Sequence, residues 1–486
     1  MSTKRIFKNY LYNTAYEVLI LIVPFLTAAY ISRVLGAGGI GESDYTSSFA
    51  AIFSVFGKLG IDRYGSKHIA YKRDSKDSRS KTFWNIWCLQ GISTSISILI
   101  YIIFFIVLGK SLKFLFVLQL PIVLAAFLDI SWFYRGLENF KKIVVRNTVI
   151  RIACAISIFL FVKSYDDLYI YILINSLAVF LGCFTYWFSL FKYVNKMNIS
   201  EVNIKPYLKE SIVYFLPQIC IQLYTVADHI ILGYLTNLTE VGYYSQSLKI
   251  PGISLAIINS LSTVLMPTIA NLYEKKDTRK IQKYLKRSLI ITILISSFAA
   301  SSMAAVSRIF VPLYFGEEFR LIIPFMMLAS LIAVIIPIGL VFTNQFIIPT
   351  SKNREYVIPM LSGSIVSLIS NFILIPIVGI IGAVLTVVLT ELTVTILKIV
   401  LVRKYLNIKV LFKGSYIYLL FGVINFIAIN FITHVLKTSI FSFLLSCGLC
   451  FLCYGVLMLI IKNPIRDFMF RIYHKVRENI SNSQTS

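Results

Sequence analysis

The chain has 486 residues, of which 57% are hydrophobic and only 14% charged, with a mean hydropathy of +0.79; this excludes a water-soluble globular protein of that length. Its 47 Lys and Arg against 22 Asp and Glu give a net charge of +25. In so apolar a chain the excess marks loops beside an anionic membrane leaflet and argues against nucleic acid as a partner.

The first apolar run follows Lys4, Arg5 and Lys8 and is long enough to span, so it reads as a retained helix and not a cleaved signal. In chain order about fourteen runs of roughly twenty residues follow one another. They lie at 10–32, 43–60, 83–108, 114–134, 146–163, 168–191, 211–235, 243–271, 288–313, 320–348, 357–376, 380–402, 415–434 and 440–461. They lack strict alternation and are twice strand length, so the expected fold class is an all-α polytopic membrane protein.

The connections alternate in charge. Basic residues crowd the N-terminus, 61–82, 135–146, 192–209, 273–287, 403–413 and the tail from Lys462, whereas the intervening turns carry almost none. Both termini are therefore expected in the cytoplasm. The longest internal connections run to roughly twenty residues, too short to bury a separate catalytic domain. No G-x-x-x-x-G-K-[ST] loop occurs, and neither a cofactor nor direct ATP drive is expected.

Two patterns are decoys. Gly36-Ala-Gly-Gly-Ile-Gly41 fits G-x-G-x-x-G, but it follows a membrane span and not a strand, so it reads as a glycine turn between the first two spans. Cys447, Cys450 and Cys453 recur every third residue on the last span; with no acid or His beside them they read as small packing residues and not as metal ligands. The other cysteines imply no disulfide framework.

An internal echo is more informative. "YISRVLGAGGIGESDYTSSFAAIFSVFGKLGIDRYGSKHIA" and "HIILGYLTNLTEVGYYSQSLKIPGISLAIINSLSTVLMPTIA" each end a span in Leu and turn through small or polar residues. Each then passes a Gly (Gly41, Gly242) into a Tyr- and Ser-rich helix. Six spans separate the copies, so the repeat is parallel: a six-helix lobe at 1–200, a second at 201–406, and two extra helices with a basic tail at 407–486.

These stretches, with "SIVYFLPQICIQLYTVADHIILGYL" and "GLVFTNQFIIPTSKNREY", resemble the polysaccharide-transport branch of the multidrug/oligosaccharidyl-lipid/polysaccharide exporter superfamily. The resemblance implies two six-helix lobes in a V. It also implies a bacterial cytoplasmic-membrane flippase that moves an undecaprenyl-diphosphate-linked oligosaccharide unit to the outer leaflet by alternating access. Membrane lipids are implied partners, and a polysaccharide polymerase with its assembly proteins are further candidates. A cation-coupled drug antiporter of the same superfamily is the nearest rival; a membrane polymerase would need a large external catalytic loop, which is lacking.

A diphosphate and its sugars need a wet cleft with cations for the phosphates. Lys58, Arg151, Lys249 and Lys398 are the candidate substrate-binding cations, and Glu17, Asp129, Asp228 and Glu391 the candidate coupling acids. Lys58 and Arg151 are also placed to snorkel. Gln218, Gln222, Asn344, Gln345 and Asn371 could line a sugar path or join helices, and Tyr214, Tyr224, Tyr243 and Tyr244 could stack on sugars. Counted from the turn between their spans, Asp228 and Lys249 are at equal depth, which leads to two alternative expectations: that the acid holds the lysine until a diphosphate competes for it, or that the two form a purely structural ion pair. His229 points away along the helix and is assigned to packing.

Overall fold

A span in hydrocarbon must satisfy its backbone N–H and C=O groups internally, and the helix does so locally. The computed structural model describes residues 3–461 apart from 109, 198–201 and 264, together with 463 and 466; side chains are described from Ile22 onward except at 108–110, 140–141, 256–264 and 267. Among the described residues every regular element is a helix, and twelve segments are long and apolar enough to cross a membrane.

The helices are α1 (Thr3–Lys58), α2 (Ile61–Tyr71), α3 (Lys76–Leu108), α4 (Lys113–Leu128), α5 (Ser131–Gly136), α6 (Phe140–Phe161), α7 (Leu168–Phe184), α8 (Lys205–Leu235) and α9 (Leu238–Thr263). There follow α10 (Met266–Glu274), α11 (Thr278–Tyr314), α12 (Ile323–Ala329), α13 (Ile332–Phe342), α14 (Asn353–Val378), α15 (Ile380–Val402), α16 (Ile408–Phe412), α17 (Tyr416–Val435) and α18 (Ile440–Ile460). Both of the first two expected spans lie in α1, broken at Gly36, where φ is 61° and ψ −174°. That region is essentially closed to residues with a Cβ, so the leading glycine of the decoy is the turn.

Two expected loops are largely helical. Residues 61–71 form α2 because Ile61, Tyr64 and Ile69 fall on one buried face. The basic run after Asp277 starts α11, because the Asp277 carboxylate accepts the Lys280 N–H at 3.0 Å and Ile281 and Leu285 are buried. Three expected spans are interrupted, 243–271 among them, which divides into α9 and α10. The 114–134 run breaks between α4 and α5 at Asp129, and 320–348 divides into α12, α13 and a π-helical turn over Thr343–Ile347.

Packing groups residues 1–245 with 363–386, and 246–362 with 387–486. In the first unit α1 packs on α3, α4, α6 and α8. At its Lys- and Arg-rich end lies an aromatic core that includes Phe83, Trp132, Phe133, Tyr134 and Tyr186. At the opposite end the two glycines of the sequence echo face each other. A Cβ on Gly41 would stand 1.6 Å from the Leu238 carbonyl oxygen, and a Cβ on Gly242 1.9 Å from that of Ala37. Each opposing carbonyl belongs to the residue four before the other glycine, so the contact has the local two-fold form that the repeat implies.

In the second unit α11 packs on α13, α17 and α18. Small residues on α11 permit the approach: Ser297 Oγ donates to the Tyr418 carbonyl at 2.9 Å, Asn425 Nδ2 donates to Ser301 Oγ at 3.0 Å, and Thr433 Oγ1 donates to the Ala305 carbonyl at 3.0 Å. Cys450 is buried in the cluster with Ala305, Val306 and Ile429, the packing role expected of it. The "FTNQFIIPTSKNREY" stretch is also accounted for in this unit: Lys352 sits 3.5 Å over the Tyr405 ring, and Glu355 pairs with Lys404 at 2.7 Å.

Candidate functional site

The α8–α9 hairpin sets the geometry around Asp228. Asn237 stands between the helices, and its side-chain oxygen accepts the Glu240 N–H at 2.9 Å, which starts α9 at Leu238. Asp228, seven residues before the end of α8, is therefore about 10 Å from the turn. Lys249 is eleven residues into α9, about 16 Å along it. The equal-depth argument for these two residues does not hold, because it started the helix four residues too late. The residue of α9 that reaches the acid is Tyr244.

Asp228 is 1% exposed. Its Oδ2 accepts from Tyr244 Oη at 2.8 Å; its Oδ1 accepts from Asn371 Nδ2 and, more weakly, from Ser367 Oγ at 3.4 Å. Ser364, Ser367 and Asn371 lie along one face of α14, and Ser364 Oγ donates to the Cys220 carbonyl of α8 at 2.8 Å. A polar stripe on α14 thus follows α8 and ends at the carboxylate. The His229 and Tyr244 rings pack in a T-shape with centroids 5.0 Å apart. Asp228's hydrogen-bond partners among the described residues are Tyr244, Asn371 and Ser367, all neutral; the adjacent His229 imidazole, when protonated, is the charge that favours its carboxylate, and the ionised acid remains costly at this burial. A proton or small cation arriving there would relieve that cost. Asn371 Oδ1 is buried without a hydrogen-bond partner, which leaves a second oxygen facing inward.

The other expected residues are placed differently. Lys58 Nζ and Asp129 Oδ2 meet at 2.5 Å, an ion pair that sequence reading did not anticipate. Asp129 Oδ1 also accepts the Ser131 N–H at 3.0 Å, and Gln90 donates to the Asp129 carbonyl at 2.9 Å. Asp62 lies 3.7 Å from Lys58 and takes Arg135 at 2.8 Å. This network joins α1, α2, α3 and α5 at the end of α4.

Arg151 is exposed on α6 and Lys249 exposed on α9. Lys398 is buried on α15, with its Nζ 3.6 Å from where a Cβ on Gly339 would stand; Glu391 is half-buried on the same helix. The Glu17 side chain lies outside the described residues. Of the amides, Gln345 donates to Ser288 Oγ at 2.8 Å and Asn371 serves Asp228, so both join helices. An apolar cavity of about 550 Å³ between α11, α12, α13 and α17 is lined by Ala300, Met327, Leu331 and Val423 among others; without a charged wall it suits neither phosphate nor sugar.

The sequence model described as polysaccharide biosynthesis protein matches residues 6–273, and the MatE model matches residues 214–346. A candidate O-antigen transporter of Escherichia coli (strain K12) is 22% identical over 82% of this chain and 96% of its own length. One from Shigella dysenteriae is 20% identical over 77% and 94%. Among solved structures, the lipid II flippase MurJ in an inward closed conformation has a TM-score of 0.69 at 16% identity, over 93% of this chain and 98% of its own. An inward-facing MATE multidrug transporter has a TM-score of 0.56 at 14% identity, over 82% and 99%. Since the first model covers more than half of the sequence, the chain belongs to the polysaccharide biosynthesis protein family and is a multi-pass bacterial membrane transporter of the multidrug/oligosaccharidyl-lipid/polysaccharide exporter superfamily.

Proposed function

We propose that the chain flips an undecaprenyl-diphosphate-linked oligosaccharide unit from the inner to the outer leaflet by alternating access, coupled to a cation gradient through Asp228. The observation that carries the coupling is a fully buried carboxylate whose hydrogen-bond partners among the described residues, Tyr244, Asn371 and Ser367, are all neutral. Such a group changes its net charge when it takes a proton or a metal cation, and two conformations that solvate it differently are biased by that change. The substrate reading draws support from the candidate O-antigen transporters to which the chain is similar. Exposed Lys249 on α9 is the proposed first cation for the diphosphate, with Lys398 and Arg151 as further cations; Glu391 and Glu17 are secondary coupling acids.

The test is a deletion strain with mass analysis of its lipid-linked sugars. Accumulation of one repeat unit on the inner leaflet, relieved by the wild-type gene, is the expected result. Lys249→Ala is expected to reduce export at unchanged membrane abundance, with Lys249→Arg retaining part of it. Orientation is checked with single cysteines: positions Ser111 and Thr236 should react with an impermeant thiol reagent in intact cells, and Ser75 only after permeabilisation. The MatE match over residues 214–346 favours a second reading, exchange of a small organic cation; drug efflux in the absence of any lipid-linked intermediate is the outcome that would select it.

A further inference from the structure

We infer that Lys142 and Arg146 form a binding site for a lipid-borne diphosphate at the basic end of the first unit, an inference that rests on the flippase reading above. The two cations are one turn apart on α6, on the same helix face. Beneath them lies a floor of tyrosines. Tyr134 and Tyr186 stack with centroids 5.2 Å apart, and Tyr193 meets Tyr134 edge-on at 6.0 Å. Lys142 Nζ is 4.8 Å from the Tyr193 centroid and 5.3 Å from that of Tyr134. The Arg146 guanidinium is 3.9 Å from the Tyr186 centroid.

Three features separate this pair from lysines and arginines that merely reach for headgroups. First, neither forms an ion pair among the described residues, whereas Lys58 and Arg135 close by are both neutralised by carboxylates. Second, Arg146 Nε is buried without a hydrogen-bond partner; a ring face solvates the flat side of a guanidinium but not this in-plane N–H. Third, space is reserved for the group: a Cβ on Gly182 of α7 would stand 2.5 Å from Arg146 Nη2. The floor is fixed from below, since Tyr134 Oη donates to the Tyr186 carbonyl at 2.7 Å and Arg79 donates to the Tyr193 carbonyl at 2.7 and 3.1 Å. A planar fork beside a compact ammonium, both preorganised and unneutralised, matches two adjacent phosphates better than one. Residues 135–146 form one of the basic connections assigned to the cytoplasm, where the flippase reading places its loading step.

The same chemistry could come from a bulk anionic headgroup or from the substrate, and the experiment separates them. The purified full chain in nanodiscs is titrated with undecaprenyl diphosphate, undecaprenyl monophosphate and phosphatidylglycerol, and bound lipid is read by native mass spectrometry. The wild type is expected to prefer the diphosphate by about tenfold or more, and Lys142→Gln with Arg146→Gln is expected to abolish that preference. Gly182→Ala keeps both charges but displaces the guanidinium, and is expected to lose part of the preference while thermal unfolding stays close to wild type; this variant keeps the test open if the double variant folds poorly. Equal diphosphate preference in all variants overturns the site alone. Equal binding of phosphatidylglycerol and diphosphate by the wild type makes it a general headgroup anchor and overturns the assignment. If the wild type takes up no prenyl diphosphate at all, the flippase reading falls together with the site.

Discussion

Two buried aspartates in the first unit have opposite surroundings. Asp129 meets Lys58 at 2.5 Å and stands in a network that continues through Asp62 to Arg135. Asp228 meets a phenol, an amide and a hydroxyl. The first charge is balanced in every state that keeps the network intact, so it fastens α1 to the α4–α5 break. The second has neutral hydrogen-bond partners and the His229 imidazole as its nearby charge, and in the proposed function it is the acid that responds to a gradient. On that proposal burial does not separate the two acids; the charge of their hydrogen-bond partners does.

The sharpest way to break this contrast is to remove one charge at a time. Asp228→Asn keeps the shape and the hydrogen bonds: its oxygen can face Asn371 Nδ2 and Ser367, and its amide can donate to the Tyr244 oxygen once that hydroxyl rotates. Export is expected to fall on the order of 1,000-fold, about 4 kcal/mol of barrier, at normal membrane abundance. Flipping assays in everted vesicles check it, and near-normal rates would sink the coupling role. Asp129→Ala, by contrast, leaves Lys58 unbalanced and is expected to destabilise the protein by about 3 kcal/mol, seen as a lower midpoint of thermal unfolding in detergent. Adding Lys58→Met should restore most of that stability and of the export rate. If the double variant is stable but inactive, Lys58 and Asp129 belong with Asp228 and the contrast fails.

A third prediction moves to the glycine crossing. The Cβ of Gly41→Ala collides with the Leu238 carbonyl, and that of Gly242→Ala with the Ala37 carbonyl; both obstacles are backbone and cannot swing aside. Each substitution should cost about 1–3 kcal/mol through separation of the helices, and the pair together should cost less than the sum because one separation admits both methyls. Additive losses would show that the two glycines act independently.

Much of this was legible in the sequence, for identifiable reasons. Span positions and the helical class follow from apolar run length, which local chemistry dictates. Gly41 and Gly242 were legible because a repeat writes the same crossing twice. The α9 start is written as well, in Asn237 followed three residues later by Glu240, a capping signal that brings Tyr244, and not Lys249, level with Asp228. The Lys58–Asp129 pair could not be read, because 71 residues separate the partners and nothing local joins a charge on one span to a helix break on another. The Lys142 and Arg146 platform was hidden for a related reason. Its tyrosines come from α5 and from the segment after α7, so on the page the two cations look like part of an ordinary basic loop.

The smallest expected effect sharpens what kind of partner Asp228 takes. Ser367 Oγ is the longest of its three contacts, at 3.4 Å, and its loss removes one neutral donor without touching the charge. Ser367→Ala should therefore cost no more than about 1 kcal/mol of stability and leave the maximal export rate nearly unchanged. Its effect should appear in the driving ion. A carboxylate with one donor fewer is less well solvated when empty and holds an incoming proton or metal cation more tightly, so the ion concentration for half-maximal flipping is expected to drop a few-fold. Flipping rates measured against sodium at fixed pH, and against pH at fixed sodium, show which ion moves. A shift along the pH axis alone makes Asp228 a proton carrier, a shift along the sodium axis alone makes it a metal-cation carrier, and no shift on either axis would detach the cluster from ion coupling altogether.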